Sequence, residues 1–587
     1  NWANEGNGKV LREIVGNGDA RWIHSPFPVV NTGDTCTNVI MSAFTTGNTL
    51  TVLDANGNIY TAFTCSIFAG PYEYGSGLDS IQPILDSPFA TSNFSSIGGG
   101  VSNKVIGVKS RYSRIGGGQN NIINSIGTSS ADTASLHSYI GGGDNNTIDE
   151  SAKSAIVGGE SNSITGGTHN VIGGGNNNIV NGSIKSAILG GEKNLITGGT
   201  HNIIGGGEHN IIKPKFIISG GITADSTTHA IIGAGKDNLI VNADRSSIIS
   251  GRLNLISGGT DNHIGSGTRN TIHKSIETTI LNGVDNTISA STSSQIVGGQ
   301  SNIVNLGTNS IIGAGQSNAL EAAKVSIIGS GRDNAIYNTG QSAIVGGSRN
   351  SISASTQSII GAGKANTISM SPVSSIVGGQ VNSISASTES IIGSGLRNRI
   401  LAVSSSSSLI SGIDNSIVRS KSSILGSGTG NTITNSNYSV LGGGENNFIT
   451  GETSSSIVGG KDNTIYAGVR DRNNYNIIGG GGDNLITNST KSAIVGGDVN
   501  IVTGSTSSVI GSGTKNKIIN SNRAALMAGS GNTINVSLDS SLISGVKNTI
   551  DDSDSALLGS GLMNSIIGVS NMSSLVSGEL NVVTAST

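Results

Sequence analysis

Aromatic and charged side chains are scarce in this chain of 587 residues: Phe, Tyr and Trp make up 3% of it, and Asp, Glu, Lys and Arg 12%. Several ordinary enzyme cores are thereby excluded, because aromatic rings normally supply much of the buried area. Proline, at 7 residues, is too rare for collagen, and Gly does not fall at every third position. Cysteine is limited to Cys36 and Cys65. They could form one disulfide or stay as two thiols, and they leave the compartment open. No apolar run approaches the ~18 residues of a membrane span. The chain has no long Lys/Arg run, and its net charge of −3 leaves no electrostatic footprint for nucleic acid. With 35% apolar residues it is not hydrophobe-poor enough to be disordered. Glycine, by contrast, is abundant: 89 residues, about twice the usual share. A repetitive β structure with glycine in its turns is what remains.

Composition changes near residue 95. Both Trp, both Cys, six of the eight Phe and five of the seven Pro come earlier. Residues 1–94 read as a small, mostly β attachment module, and residues 95–587 as a repeat shaft. Within the module, residues 49–61 predict a β-hairpin around Asn56-Gly57. Leu11-Arg12-Glu13-Ile14-Val15 carries a faint helical hint, cut short by Gly16, Gly18, Pro26 and Pro28. Nothing in the module looks catalytic.

From Ile97 onward the chain repeats a unit Ile-x-Gly-Gly-x-x-Asn-x-Ile followed by about seven variable residues. Ile156-Val157-Gly158-Gly159-Glu160-Ser161-Asn162-Ser163-Ile164 is a clean copy. The Asn recurs from Asn103 to Asn581, mostly at steps of 16, and a poor copy at Ile218 brings the count to 30 units. A unit of this length predicts one coil of a parallel β-solenoid, with two short strands and two turns, the Ile residues facing inward. The recurrent Gly and Asn predict the first turn, as in Gly159 with Asn162, Gly191 with Asn194, Gly347 with Asn350, and Gly379 with Asn382. Gly tolerates φ > 0 and Asn the left-handed region, and stacked Asn side chains can form amide ladders. Longer steps, such as Asn121 to Asn146 and Asn463 to Asn484, put their extra residues after the second Ile, as one looped corner allows.

The residues flanking the first Ile swap size from coil to coil. Ala155 and Val157 flank Ile156, whereas Val171 and Gly173 flank Ile172. The same exchange relates Leu189 to Ile203, Val345 to Ile359, and Val377 to Ile391. Packed interfaces penalise both voids and overpacking, so a volume traded in this way predicts a partner chain on that face. Drift on an exposed strand is the plain alternative. Three chains about a common axis is the preferred assembly.

Catalytic and ligand-binding patterns are weak. Gly235-Lys236-Asp237 and Gly363-Lys364-Ala365 lack the Ser or Thr that a phosphate loop places after Lys. Gly480-Gly481-Gly482-Asp483 is one isolated near-match to a calcium-binding roll. His169, His201 and His209 occupy turn places where other polar residues stand in neighbouring units, and Glu160, Glu192 and Glu208 form an acidic edge without a recurring acid partner. Neither a cofactor nor a metal is expected, and an enzyme is not.

The Ser-x-Ile-x-Gly-Gly-x-x-Asn-x-Ile copies, at Ser154 to Ile164 and Ser342 to Ile352, resemble repeats of phage tail-fibre proteins and related surface proteins. They are also similar to the head repeats of trimeric autotransporter adhesins, which form parallel β-rolls as trimers. The resemblance covers the array alone, and departs from the adhesin heads in its longer period and its use of Ile where they favour Ala. The eight-residue spacing of Ile-x-Gly, as in Ile256-Ser257-Gly258 after Ile248, also resembles the intertwined triple-stranded β-helix of phage needles, the second-ranked architecture. The resemblance implies a homotrimeric virion fibre. Its first module would dock to a virion attachment protein, its array would be a rigid shaft, and a receptor-binding tip would lie beyond Thr587. A bacterial cell-surface adhesin or extracellular filament is the alternative. An ice-binding solenoid is a third reading, suggested by Ser-Ala-Ser-Thr at 289–292, 353–356 and 385–388.

Overall fold

Short β-branched segments punctuated by glycine and asparagine cannot sustain helices, and in the computed structural model the described residues contain only strands and turns. The structure describes residues 90–107, 109–125, 135–214, 227–467, 474–568 and 572–584, and before residue 90 the backbone of short strands alone. The chain divides into two compact units, Asn1–Pro71 and Tyr72–Thr587.

In the first unit, Lys9–Ile14 pairs antiparallel with Ala20–His24. The helical hint at Leu11 to Val15 is therefore overturned. Val10, Leu11 and Ile14 suit a pleated surface as well as a helix, and five residues cannot repay helix nucleation. The predicted hairpin is present: Thr49–Leu53 pairs antiparallel with Ile59–Thr61 and with Ser42–Thr46. Cys36 and Cys65 lie outside the described residues.

The second unit is a parallel β-solenoid of about 29 coils with a 16-residue period. Each coil has a two-residue strand, such as Ala155–Ile156, and a three-residue strand, such as Ser163–Thr165. These stack into two long parallel sheets. In the first, Ala155 pairs with Val171 and Ile156 with Ile172; in the second, Ile164 pairs with Val180. Because strands pair with the next coil of the same chain, the intertwined architecture does not describe this stack. Like side chain lies over like, and the two Ile columns fill the interior fully buried. At about 4.8 Å per rung the stack is on the order of 140 Å long. The poor copy around Ile218 lies outside the described residues. Ile203–Ile204 pairs directly with Ile231–Ile232, so the coils number about 29 rather than 30.

Two corners join the strands, and they differ. At the Gly–Asn corner, Gly159 has φ 92° and Ser161 has φ 56°. The left-handed residue is thus the one before Asn162, which corrects the expectation that Asn itself takes this conformation. Asn162 turns inward instead and is fully buried. Its Nδ2 donates to the carbonyls of Gly158 (3.1 Å) and Gly175 (2.9 Å), and its Oδ1 accepts the backbone N–H of Asn178 (3.0 Å). One side chain therefore bonds three backbone groups of the turn, of which the Gly175 carbonyl also accepts the Glu160 N–H. The amide ladder recurs along the stack, for example where the Asn366 N–H donates to Asn350 Oδ1.

The Ser corner uses two buried hydroxyl columns instead. The Ser371 N–H donates to Ser355 Oγ (2.9 Å), and the Ser374 N–H donates to Ser358 Oγ (3.2 Å). Ala354 and Gln357 take φ 47° and 56° there. The Ser-Ala-Ser-Thr runs turn this corner: Ser291, Ser355 and Ser387 are buried in its ladder, and Thr292, Thr356 and Thr388 stand exposed beside them. Among the described residues the extra length of a longer step enters here, between the three-residue strand and the first Ser column, as between Leu401 and Ser404.

Candidate functional surface

The strand that carries the core Ile alternates sides, so its neighbours point outward. Val157, Leu189, Val345 and Val377 follow core Ile residues and are 57–61% exposed, whereas Ile203, Ile359 and Ile391 precede them and are 38–48% exposed. Val171 is half-buried. All eight residues predicted to line a partner interface therefore share one outer face. The face continues through positions that were not singled out from sequence, including Ile327, Ile410, Ile424, Val458, Val495 and Ile543. The same signal, one large apolar residue beside most core Ile or Leu residues of this strand, would have found them. Summed over more than twenty coils, the apolar stripe is on the order of 2,000 Å², against ~300–600 Å² for the largest patch of a typical monomer.

Part of the size exchange has a cause within the chain. Where the preceding residue is large, the residue after the core Ile is Gly, and a Cβ at Gly173 or Gly361 would run into the carbonyl oxygen of Leu189 or Val377 on the next coil. The backbone thus demands Gly there, and the bulky partner on the other side keeps the outward volume roughly even. The alternation breaks its phase in places: Leu281 is followed by Val297, and Ile311 by Ile327.

The chain matches no protein-family model and no curated protein. What it can do rests on this surface and its corners.

The remaining sequence candidates occupy corners. His169 and His201 stand exposed in the left-handed column of the Ser corner, where His201 stacks on His229 at 4.7 Å. His209 lies at the Gly–Asn corner, its Nδ1 3.5 Å from Glu208 and 3.6 Å from Asp237. Glu160, Glu192 and Glu208 line that same corner on successive or next-but-one coils. Gly235, Gly363 and Gly481 are its positive-φ glycines, so neither phosphate-loop candidate forms a loop of its own. Gly482 donates its N–H to Asp498 Oδ1 at 2.9 Å, which uses the calcium-roll near-match in a rung-to-rung contact. Among the described residues no group of three or more His, Cys, Asp or Glu is placed to hold a metal ion.

Two titratable groups are unusually placed. Glu452 replaces a ladder Ser and is buried, its Oε2 accepting from Ser455 Oγ (2.9 Å) and Asn476 Nδ2 (3.2 Å). Oε1 has no hydrogen-bond partner among the described residues, and burial pushes the carboxyl above its ordinary range. His263 lies in the apolar stripe with Nδ1 2.6 Å from Ser247 Oγ, and burial lowers its pKa. The repeat pattern hides both, because each stands where most coils carry something else.

Proposed function

We propose that the chain is the shaft of a projecting structural fibre in which copies associate through the apolar stripe of the first sheet. The observation that carries this reading is the continuity of the stripe, one half-exposed aliphatic residue per coil along nearly the whole stack. A stripe more than twice the ~800 Å² each partner contributes to a standard interface would promote aggregation if left in water. The in-register Ile columns and the Asn and Ser ladders supply stiffness, because each coil is bonded to its neighbours along two sheets and two corners. Three copies about a common axis is the favoured number. The first unit would dock the shaft to its particle. The likeness of the repeats to phage tail-fibre proteins supports a virion fibre serving host attachment.

Sedimentation equilibrium and negative-stain imaging of the full chain test this. We expect a stable multimer at micromolar concentration with a straight segment of about 140 Å. The variant Val345→Glu/Val377→Glu should dissociate it while leaving the β circular dichroism intact. A monodisperse wild-type monomer would overturn the reading.

A further inference from the structure

The corners that flank the apolar stripe carry opposite charge at the same height, and the sign changes hands along the stack. From the coil of Ile115 to that of Ile232, the Ser corner bears Lys109, Arg111, Lys153 and Lys185, while the Gly–Asn corner bears Asp144, Glu160, Glu192 and Glu208. From Ile248 to Ile392 the order inverts. The Gly–Asn corner now carries Arg252, Arg269, Arg332, Arg349, Lys364 and Arg397, and the Ser corner Asp261, Glu277 and Glu389. It inverts again from Leu409 to Ile494, with Asp414, Glu445, Asp483 and Asp498 against Arg419, Lys421 and Lys491. The last block, from Ile510 to Leu558, sets Lys515 and Lys547 against Asp539, Asp552 and Asp554. Single residues such as Glu150, Lys274, Lys324 and Asp333 depart from their block, and Lys193 and Lys236 pair with Glu192 and Glu208 at 2.7 and 2.8 Å.

Arg–Asp pairs join adjacent coils along one corner: Arg397–Asp414 (2.6 Å) spans the second change of sign, whereas Arg245–Asp261 (2.7 Å) and Arg523–Asp539 (2.5 Å) lie inside the blocks that follow the first and third, where Arg245 and Arg523 depart from their block. A fourth such pair, Arg269–Asp285 (2.5 Å), lies within a block. Elsewhere inside a block, like charges recur down one edge. Like charges on neighbouring strands are unfavourable for a chain alone, so the block pattern calls for a counter-surface.

Resting on the reading that copies meet through the stripe, we infer that the blocks are an electrostatic key that sets their direction and register. The occupant of the surface is a second copy of this chain, parallel and level with the first. A three-fold rotation about an axis parallel to the stack makes a heterologous contact. The Ser corner of one copy then meets the Gly–Asn corner of the next at equal height, and unlike charges predominate in all four blocks, as in Lys185 with Glu192, Asp261 with Arg269, Lys491 with Asp498 and Asp539 with Lys547, although Glu277 stands level with Asp285 and Arg245 with Arg252. An antiparallel pair instead brings each corner against its own kind, with the long middle block facing itself. A slip of several coils sets like against like near every boundary. The apolar stripe cannot make this distinction, because one aliphatic residue per coil looks much the same at every height. Opposed like charges reject wrong partners, which is how charge patterns give specificity at interfaces.

Cysteine pairs in the full chain, with Cys36 and Cys65 changed to Ser, test the key. Lys185→Cys and Glu192→Cys lie on one coil, at opposite corners. Under mild oxidation this pair should give covalent multimers at least about tenfold faster than Lys185→Cys with Glu160→Cys, two coils away, since a disulfide tolerates little displacement. Lys185→Cys alone should not cross-link. Separately, Lys153→Glu/Lys185→Glu should weaken assembly about tenfold or more at low salt, and adding Glu160→Lys/Glu192→Lys in the same chain should restore it. Multimers that cross-link equally at both spacings, or through Lys185→Cys alone, or that ignore the charge reversals, would overturn the key and leave self-association standing. A wild-type monomer would overturn both.

Discussion

An asparagine that recurs once per coil is held in place by hydrogen bonds rather than by its backbone preference. Asn350 donates to Gly346 and Gly363 and accepts from Asn366, and a buried group of this kind is costly to leave unpaired. The glycine before it has a separate constraint. Gly347 has φ 88°, and a Cβ there would run into the Gly363 carbonyl oxygen and Asn350 Nδ2. Gly347→Val should therefore destabilise the stack by about 3 kcal/mol or more, read as a lower melting temperature by circular dichroism; unchanged melting would refute the corner geometry. Glu452 gives a prediction of opposite sign. Burial raises its pKa in the fold, so its contribution to stability is greatest below the ordinary carboxylate range and is lost as pH rises through the raised value. Glu452→Gln keeps an acceptor for Ser455 and Asn476, removes the buried charge, and should raise stability at neutral pH by about 1–2 kcal/mol while flattening its pH dependence. A neutral-pH loss of stability in urea titrations would count against it.

At the scale of one coil, the two corners are unequal partners. The Gly–Asn corner closes with a single amide that bonds its own coil to the next, whereas the Ser corner admits extra chain before its first hydroxyl column. Ala402 and Val403 show the smallest case, one added residue accommodated by two left-handed conformations (φ 57° and 66°). A flexible six-residue Gly/Ser insertion after Ser369, at the end of the strand Thr367–Ser369, should leave melting within about 1 kcal/mol, because loop closure adds little. The same insertion after Gly379 should break the Asn366–Asn382 ladder and cost several kcal/mol. Limited proteolysis and thermal melting of the two variants compare the corners directly; equal tolerance would show the distinction to be wrong.

Across the whole solenoid, stability is close to a sum over neighbouring coils. Deleting residues 351–366 removes one period and rejoins Asn350 to a Thr-Ile strand, so the product should fold with a stack shorter by about 4.8 Å. Deleting residues 351–358 instead keeps the Ile spacing but swaps Gly–Asn and Ser corners for every later coil. Both ladders then break at the junction, and loss of cooperative melting is expected. If both deletions melt alike, the eight-residue half-repeats are interchangeable and the ladders contribute little.

The period, the two inward Ile columns, the recurrent Gly and the looped corner were all legible in the sequence, because each is a property of spacing and spacing survives any packing. The outward pairs such as Val345 and Ile359 were legible too, since a residue beside an inward one in a strand must face out. Three things needed the tertiary structure. The place of the left-handed residue, Ser161 rather than Asn162, depends on which side chain can reach the next coil's carbonyls. The role of the Ser columns depends on register, because a serine-rich chain offers hydroxyls everywhere and only stacking selects those that are buried. The pairing of opposite charges across the stripe depends on which corner each residue occupies, and a linear sequence carries no corners.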